Sequence, residues 1–247
     1  MVPAPPRWGE GVGVAVGWRD VPRRPPSVPT FERPPTVRDV VIVAGGEAPN
    51  PGVRAMVPKG ATVIAADSGL DHALALGFRP AMVVGDMDSV GAGLLESLDD
   101  TVEVRRFPVD KDATDLELAV RAALRIGVDR LVVVGGHGGR LDHLLANVAL
   151  LSHDDLAGVE VRWLAGHDVV VPVRGQTLVE GRPGALLSLV PVGGPAHGVT
   201  TSGLVWELDG ASLQPGSTRS ISNRFVGNEA TVSVDSGVVV VILPFAI

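Results

Sequence analysis

Short apolar runs alternate with stretches of helical spacing between residues 40 and 164. Runs of four to six Val, Ile, Leu and Ala residues have the length of buried strands. The predicted strands are Val40–Ala44, Thr62–Ala66, Ala81–Val84, Val102–Arg106, Leu131–Val134 and Val159–Leu164. The predicted helices are Pro51–Val57, Gly69–Leu76, Gly91–Ser97, Asp115–Ile126 and Leu141–Leu151. This alternation predicts a mainly parallel sheet with helices on both faces.

The helix after Thr114 has the clearest sequence signals. Its apolar residues Leu116, Ala119, Val120, Ala123 and Ile126 fall on one stripe. Thr114 and Glu117 have the spacing of a capping box, and Gly127 can end the helix in a left-handed conformation. The sequence therefore predicts both ends of this helix.

The helical pattern stops after about Gly166, where short strand-like segments separated by Gly and Pro begin. These predicted strands are Asp168–Val173, Gln176–Glu180, Ala185–Pro191, Gly198–Thr201, Gly203–Leu208, Glu229–Val234 and Gly237–Leu243. Regular short strands of this kind are typical of a sandwich or barrel. We therefore predict an α/β fold: a Rossmann-like, mainly parallel N-terminal sheet flanked by helices (38–166), followed by an all-β, sandwich-type domain (167–247).

Residues 1–37 differ from the remainder in being rich in Pro, Arg and Gly. We predict a disordered or loosely attached tail there. The apolar stretch Val12–Val16 is broken by glycine and too short for a signal peptide.

Composition narrows the functional classes. No apolar run has the length of a membrane span, and mean hydropathy is +0.29 with 45% hydrophobic residues, which indicates a well-buried globular protein. The absence of cysteine excludes disulfides, thiolate zinc sites and cysteine nucleophiles. A net charge of −7 with a pI near 5.3 argues against a nucleic-acid-binding surface.

Polar clusters follow four of the predicted strands. They are Asp67–Gly69, Gly85–Ser89, Asp110–Asp115 and Gly135–His143. Because ligands of open parallel sheets bind beyond the carboxyl ends of the strands, we expect all four clusters to meet at one edge.

Asp86 and Asp88 suggest the chemistry of that edge. Burying two carboxylates next to a strand is costly unless a cation compensates, and Mg²⁺ bound with a polyphosphate would do so. A solvated loop is the alternative explanation for this pair.

Each of the other clusters also has a purely structural explanation. Ser68 with Asp71 could cap a helix, and Asp115 could complement a helix dipole. Asp110–Asp112 could be a solvated turn, while the glycines of 135–139 could form either a tight turn or an anion site. His137 and His143 lack a partner set with zinc spacing. The occurrence of all the clusters at successive strand ends favours one shared site.

In order and spacing, six segments closely resemble the thiamine pyrophosphokinase family. They are Ala66–Gly69, Gly85–Ser89, Asp110–Leu118, Gly138–Asn147, Gly203–Leu208 and Ser220–Gly227. The resemblance covers about residues 38 to 247. Ser68 departs from it by replacing a glycine, and the proline-rich tail lies outside it.

The resemblance implies transfer of a diphosphoryl group from ATP to the thiamine hydroxyl, giving thiamine diphosphate and AMP. The implied catalytic residues are Asp86, Asp88, Asp115, Lys111 and Arg140. The implied Mg²⁺ ligands are Asp67, Asp86, Asp88 and Asp115. The implied ATP-binding residues are Asp67, Ser68, Gly69, Asp112, Thr114, Gly138, Gly139, Asp142, His143 and Asn147. The group that accepts the hydroxyl proton stays undecided.

For thiamine, the resemblance implies Trp206, Ser222 and Asn223, with the site near the interface of a cytoplasmic homodimer. A core position is the alternative for Trp206, and a plain β-turn is the alternative for Ser222 and Asn223. Two other functions stay open from the residues: pyrophosphoryl transfer to another alcohol such as a hydroxymethylpterin, and binding of nucleotide or thiamine without turnover. No nucleic acid or membrane partner is expected.

Overall fold

The computed structural model describes residues 37–91 and 93–247. The predicted tail, apart from Val37, lies outside the described residues.

Fourteen strands and four α-helices make up the regular structure of the described residues. The strands are β1 (Asp39–Ala44), β2 (Thr62–Ala66), β3 (Met82–Gly85), β4 (Glu103–Arg106), β5 (Arg130–Val134), β6 (Glu160–Ala165), β7 (Asp168–Val173), β8 (Gln176–Glu180), β9 (Leu186–Pro191), β10 (Ala196–Ser202), β11 (Ala211–Leu213), β12 (Asn223–Arg224), β13 (Glu229–Ser233) and β14 (Val239–Leu243). The helices are α1 (Val53–Met56), α2 (Gly69–Ala75), α3 (Asp115–Ile126) and α4 (Leu141–Leu150).

Six parallel strands form the N-terminal sheet in the order β4-β3-β2-β1-β5-β6. The chain moves outward from β1 to β4, then returns to place β5 on the other side of β1. The strand order therefore reverses between β1 and β5, and ligands of open α/β sheets bind beyond the carboxyl ends of the strands at such a point.

Helices cover both faces of this sheet. Because alternate residues of a strand point to opposite sides, each strand contributes to a core cluster on each face. Val40 and Ile42 of β1 join the core cluster that contains α3 residues such as Ala119. Val41 and Val43 join the cluster on the other face, which contains residues of α1 and α2. The predicted fold class of the N-terminal part is confirmed.

Helix α3 has the predicted bounds and the predicted ends. The Thr114 side chain accepts a hydrogen bond from the Glu117 N–H at 3.2 Å. Gly127 follows the helix with a φ of 81°, the left-handed conformation that favours glycine. These ends fix Asp115 in the first turn.

A single sheet crosses the expected domain boundary at residues 166/167. β6 pairs with β7 in antiparallel fashion, and the sheet continues through β14 and β9 to β12, giving ten strands in all. Four further strands form a second sheet in the order β11-β10-β13-β8. Residues of both sheets pack into one core cluster that includes Leu187, Leu189, Val199, Phe225 and Val232. The C-terminal part is thus the predicted antiparallel sandwich, whose first layer extends the N-terminal sheet.

The prediction of a strand at Gly203–Leu208 is wrong, because these residues form a loop. Gly203 has a φ of 78° and donates its N–H to Glu207 Oε1 at 2.8 Å. Thr201 closes the loop: its N–H donates to the Leu208 carbonyl, and its hydroxyl accepts from the Leu208 N–H. Local bonds therefore replace most of a strand ladder here.

The short strands β11 and β12 were not predicted, and the predicted helix Gly91–Ser97 is a 3₁₀ turn at Leu95–Ser97. Strands of two or three residues give no periodicity to detect. Among the described residues, no helix combines the length and the apolar character needed to cross a bilayer.

Candidate active site

Three carboxylates from separate parts of the chain meet at the carboxyl edge of the parallel sheet. Asp67 follows β2, Asp86 follows β3, and Asp115 begins α3. Each offers one oxygen, and these oxygens lie within 4.8 Å of one another. Asp67 is 8% exposed, and its Oδ1 has no hydrogen-bond partner among the described residues. A bound cation would stabilise such a group, because burying an unpaired carboxylate is costly.

The backbone permits this approach at Gly85, the last residue of β3. Its φ is 153°, and a Cβ there would lie 3.0 Å from Asp67 Cβ and 3.1 Å from Asp115 Oδ1. A side chain at position 85 would therefore push two of the acids apart. Asp67 itself has a φ of 46°, which is uncommon for a residue with a side chain.

Lys111 lies against the same acids. Its Nζ is 2.5 Å from Asp86 Oδ2 and 3.2 Å from Asp115 Oδ1. Burial alone would lower the pKa of Lys111, but its hydrogen bond to Asp86 and its ion pair with Asp115 raise the pKa overall. The hydrogen bond from Lys111 lowers the pKa of Asp86, whereas burial raises the pKa of Asp115.

Asp88 is near the cluster without joining it. Its Oδ1 accepts a hydrogen bond from Ser89 Oγ at 2.7 Å, and its N–H donates to Asp86 Oδ1 at 3.3 Å. Among the described residues, the three-carboxylate group contains Asp67, Asp86 and Asp115 only.

Two glycine-containing loops, one after β1 and one after β5, flank the switch point beside the acids. The loop after β1 contains Gly45, whose carbonyl accepts from the Gly136 N–H at 2.8 Å. The loop after β5 is held by two side chains: Trp163 Nε1 donates to the Gly135 carbonyl at 2.7 Å, and Asn147 Nδ2 donates to the Gly136 carbonyl at 2.8 Å. These bonds fix the backbone on this side of the site.

Arg140 and Asp142 form an exposed bidentate pair at the start of α4. Arg140 Nη2 lies 2.6 Å from Asp142 Oδ2, and Nε lies 3.1 Å from Oδ1. The hydrogen bond from Arg140 is the main reason that the pKa of Asp142 falls to about 2. In this geometry Asp142 orients the Arg140 guanidinium.

One cavity of about 930 Å³ includes both sides of the site. The predicted residues that line it are Asp67, Ser68, Asp86, Asp88, Lys111, Asp112, Thr114, Asp115, Gly138, Gly139, Arg140, His143 and Asn147. Gly69 and Asp142 are absent from the lining but adjoin it in the chain. Gly69 is packed against β1, since a Cβ there would lie 2.1 Å from the Val43 carbonyl oxygen.

The structure does not bring the predicted thiamine-binding residues to this cavity. Its lining extends from Ala44 to Asn147 and includes none of Trp206, Ser222 and Asn223. Trp206 is 60% exposed, so it is not a core residue. Asn223 is buried. Its Oδ1 accepts from the Trp206 N–H at 3.1 Å, and its Nδ2 donates to the Trp206 carbonyl at 2.7 Å.

Two further lining residues, which were not predicted, have a recognisable signal in the sequence. Gly45 and Gly46 follow β1 and line the cavity. Two glycines after a strand are the same signal as the glycines of the loop 135–139. Val109 and Leu116 also line the cavity, but nothing in the sequence separates them from ordinary apolar residues.

Two family models match the chain in succession. The model "Thiamin pyrophosphokinase, catalytic domain" matches residues 53–161, and "Thiamin pyrophosphokinase, vitamin B1 binding domain" matches residues 176–239. Together they span most of the described residues, including both the acid cluster and Trp206.

Individual relatives agree with the family models. Thiamine pyrophosphokinase of Bacillus subtilis is 26% identical over 210 residues, which are 83% of this chain and 98% of the relative. Thiamine pyrophosphokinase 1 of Oryza sativa is 28% identical over 64% of this chain and 63% of its own length. The crystal structure of the Bacillus subtilis protein has a TM-score of 0.75 at 25% identity, covering 85% of this chain and all of that one. Thiamin pyrophosphokinase from Candida albicans, at 14% identity and a TM-score of 0.70, shares the fold.

The fold and the site define a doubly wound α/β protein with an acidic cavity at its switch point and an antiparallel sandwich appended to the same sheet. With both family models matched in order, the chain belongs to the thiamine pyrophosphokinase family. This confirms the resemblance inferred from the sequence motifs.

Proposed function

We propose that this chain transfers the diphosphoryl group of ATP to the hydroxyl of thiamine. The hydroxyl oxygen bonds to the β-phosphorus and releases its proton, the bond from that phosphorus to the α-phosphate oxygen breaks, and AMP leaves with the electron pair of that bond. The observation that carries the proposal is the meeting of the acid cluster and the glycine loops in one cavity of a chain that matches both family models.

Mg²⁺ fits the acid cluster. Carboxylate oxygens are the donors that this ion prefers, and the unpartnered Oδ1 of the buried Asp67 would gain a ligand. Asp67, Asp86 and Asp115 would hold the ion directly, and Asp88 would act through water. When bound, the ion would offset charge on the phosphate oxygens.

The chain's own groups suit the remainder of the triphosphate. Lys111 and Arg140 would neutralise phosphate oxygens, Arg140 in bidentate fashion. Backbone N–H groups of residues 137–139 would add neutral donors to the same anion, since the Gly135 and Gly136 N–H groups already donate to the Leu164 and Gly45 carbonyls. Because diphosphoryl transfer needs mainly positioning and electrostatic stabilisation, this set of groups can supply most of what the reaction requires.

Assay of AMP release tests the proposal directly. Purified protein is incubated with Mg-ATP alone, with thiamine, and with a panel of other alcohols that includes a hydroxymethylpterin. We expect AMP and thiamine diphosphate in equal amounts, with thiamine required. Folded protein that forms AMP only with the pterin would show a different acceptor, and calorimetric binding without product would show a binding protein.

The thiamine part of the site is completed, in this proposal, by a second copy of the chain. The lining of the cavity ends at Asn147, whereas the matched vitamin B1 binding region begins at residue 176. That region carries an exposed apolar patch of Val205, Trp206 and Val226. An exposed apolar patch that includes a predicted substrate residue is the surface expected to contact another protomer.

Mixing two variants tests this shared site. Asp86→Asn damages the cavity and Trp206→Ala damages the patch. In a mixed dimer, one site would combine an intact cavity with the partner's intact patch, so activity with the wild-type KM for thiamine should return. A site built within one chain would show no such recovery. Sedimentation of the wild-type protein gives the oligomeric state.

A cytoplasmic location stays a prediction, which cell fractionation would test.

A further inference from the structure

Lys111 occupies a position between two of the three clustered acids. Its ammonium lies 2.5 Å from Asp86 Oδ2 and 3.2 Å from Asp115 Oδ1. The Lys111 side chain is 13% exposed, so these contacts are shielded from solvent. Both acceptors belong to the carboxylate group whose oxygens lie within 4.8 Å of one another.

The third acid of the group lacks a comparable partner. Asp67 is more than nine-tenths buried, and its Oδ1 accepts no hydrogen bond from any described residue. One ammonium therefore serves two acids while a third is left without compensation. An ion with two positive charges would neutralise the group more completely, but it would need Asp86 and Asp115 as ligands as well.

We propose that Lys111 is a placeholder cation, which holds Asp86 and Asp115 together until a divalent ion takes its place among Asp67, Asp86 and Asp115. The inference rests on the proposed function, because the triphosphate provides the new partner for the displaced ammonium. Lys111 would then be a positioning residue before the nucleotide arrives and a phosphate contact afterwards.

The position of Lys111 in the chain suits such a movement. It lies in the segment between β4 and α3, whereas Asp115 is fixed in the first turn of α3. The lysine side chain carries its charge on a flexible four-carbon stem, so the ammonium can move without the backbone. The cavity that Lys111 lines is also lined by Arg140 and by the glycine loops, which offer an anion cationic and N–H groups.

The exchange makes binding of metal and binding of nucleotide depend on each other. A divalent ion alone must displace the ammonium and leave it without an anionic partner. With a triphosphate present, the ammonium has a phosphate oxygen to pair with, so the ion binds more tightly. By linkage, the ion must strengthen nucleotide binding by the same factor.

The chain offers a matched control, because Lys59 is its other lysine and is exposed. We would titrate wild-type protein, Lys111→Met and Lys59→Met with Mn²⁺ alone and again with a non-hydrolysable ATP analogue. Lys111→Met should bind Mn²⁺ alone at least about tenfold more tightly than wild type, within the usual range of coupling between sites. Lys59→Met should match wild type, and the gain in Mn²⁺ affinity caused by the analogue should be smaller in Lys111→Met.

Nitrogen NMR of wild-type protein labelled at lysine avoids any effect of substitution on folding. Two side-chain Nζ signals are expected, and Lys59→Met assigns them. Saturating Mg²⁺ should shift the Lys111 signal and leave the Lys59 signal in place. An unchanged Lys111 signal at saturating Mg²⁺ would overturn the proposal, as would equal Mn²⁺ affinity in wild type and Lys111→Met.

Neither measurement uses thiamine or turnover, so the two proposals can fail separately. A Lys111 signal that shifts in protein without AMP release would reject the enzyme and keep the exchange. Thiamine-dependent AMP release with an unchanged Lys111 signal would reject the exchange and keep the enzyme.

Discussion

The two halves of the molecule differ in how far the position of a residue in the chain determines where its side chain lies. At the carboxyl edge of the parallel sheet, acids separated by up to 48 positions (Asp67 and Asp115) meet in one cluster. In the antiparallel half, Trp206 and the Ser222–Asn223 pair lie away from the cavity that they were predicted to serve. Parallel strands all end at one edge, whereas antiparallel strands end alternately at both. Motifs can be recognised in both halves of the sequence. Only in the parallel half does the topology determine the edge of the sheet at which their side chains lie.

Replacing an acid of the cluster is expected to have the largest effect on turnover. A small effect would mean that the contrast between the two halves does not hold. Asp86→Asn should lower kcat at least about 10²-fold, on the scale of removing one electrostatic stabiliser. Circular dichroism should show an intact fold. Asp100→Asn, a change of the same kind at an exposed acid outside the cavity, is the control. Activity near wild type in Asp86→Asn would place the reaction elsewhere.

Crowding the cluster should have the next largest effect. Gly85→Ala would bring a methyl group to 3.0 Å from Asp67 Cβ and 3.1 Å from Asp115 Oδ1. Displacing these acids by a few tenths of an ångström should lower kcat about tenfold, because catalysis depends steeply on position. Gly60→Ala is the matched control, since Gly60 has a φ of 79° with no atom within 4 Å. Both variants should lose about 1–2 kcal/mol of stability from backbone strain, but only Gly85→Ala should lose turnover.

The antiparallel half is tested by Trp206→Ala, with a smaller expected effect. If the indole contacts the thiamine cation, its loss should raise the KM for thiamine about fivefold and leave the KM for ATP unchanged. Leu178→Ala removes a similarly exposed apolar side chain, 58% against 60%, and should change neither constant. Equal changes in both KM values would mean that the substitution disturbs the fold, which thermal melting would detect.

Deletion of residues 1–36 should have the smallest effect, in both kinetics and stability. These residues lie outside the matched family regions. Melting temperature and kcat/KM for thiamine should stay near those of the full chain. A large drop in melting temperature would show that the segment packs on the remainder of the protein.

The regular elements with strong local signals were predictable from the sequence. Helix α3 has its predicted bounds, because a capping residue, an apolar stripe and a terminal glycine all agree. The meeting of the acids was also predictable, because it depends on strand direction rather than on contacts between side chains. The ion pairs of Lys111 and the left-handed backbone of Asp67 were not, since they depend on tertiary contacts that local sequence patterns do not report.

The sequence did not predict that the two halves share one continuous sheet. The turn at Gly166 and His167 reads as a boundary, since helices stop there and antiparallel strands begin. The structure uses the same turn to pair β6 with β7, so the change of pattern marks a reversal of strand direction within one sheet. Local periodicity reports the class of each segment but not whether neighbouring segments share a sheet.

That continuity has a consequence for any attempt to produce the halves separately. A cut between β6 and β7 would leave each fragment with a bare row of amide and carbonyl groups along a strand that is internal in the intact chain. Strands stripped of a neighbour recruit other chains, so such fragments should aggregate when expressed alone. The two halves are therefore expected to be inherited, engineered and purified as one unit, whatever division of labour they have in the reaction.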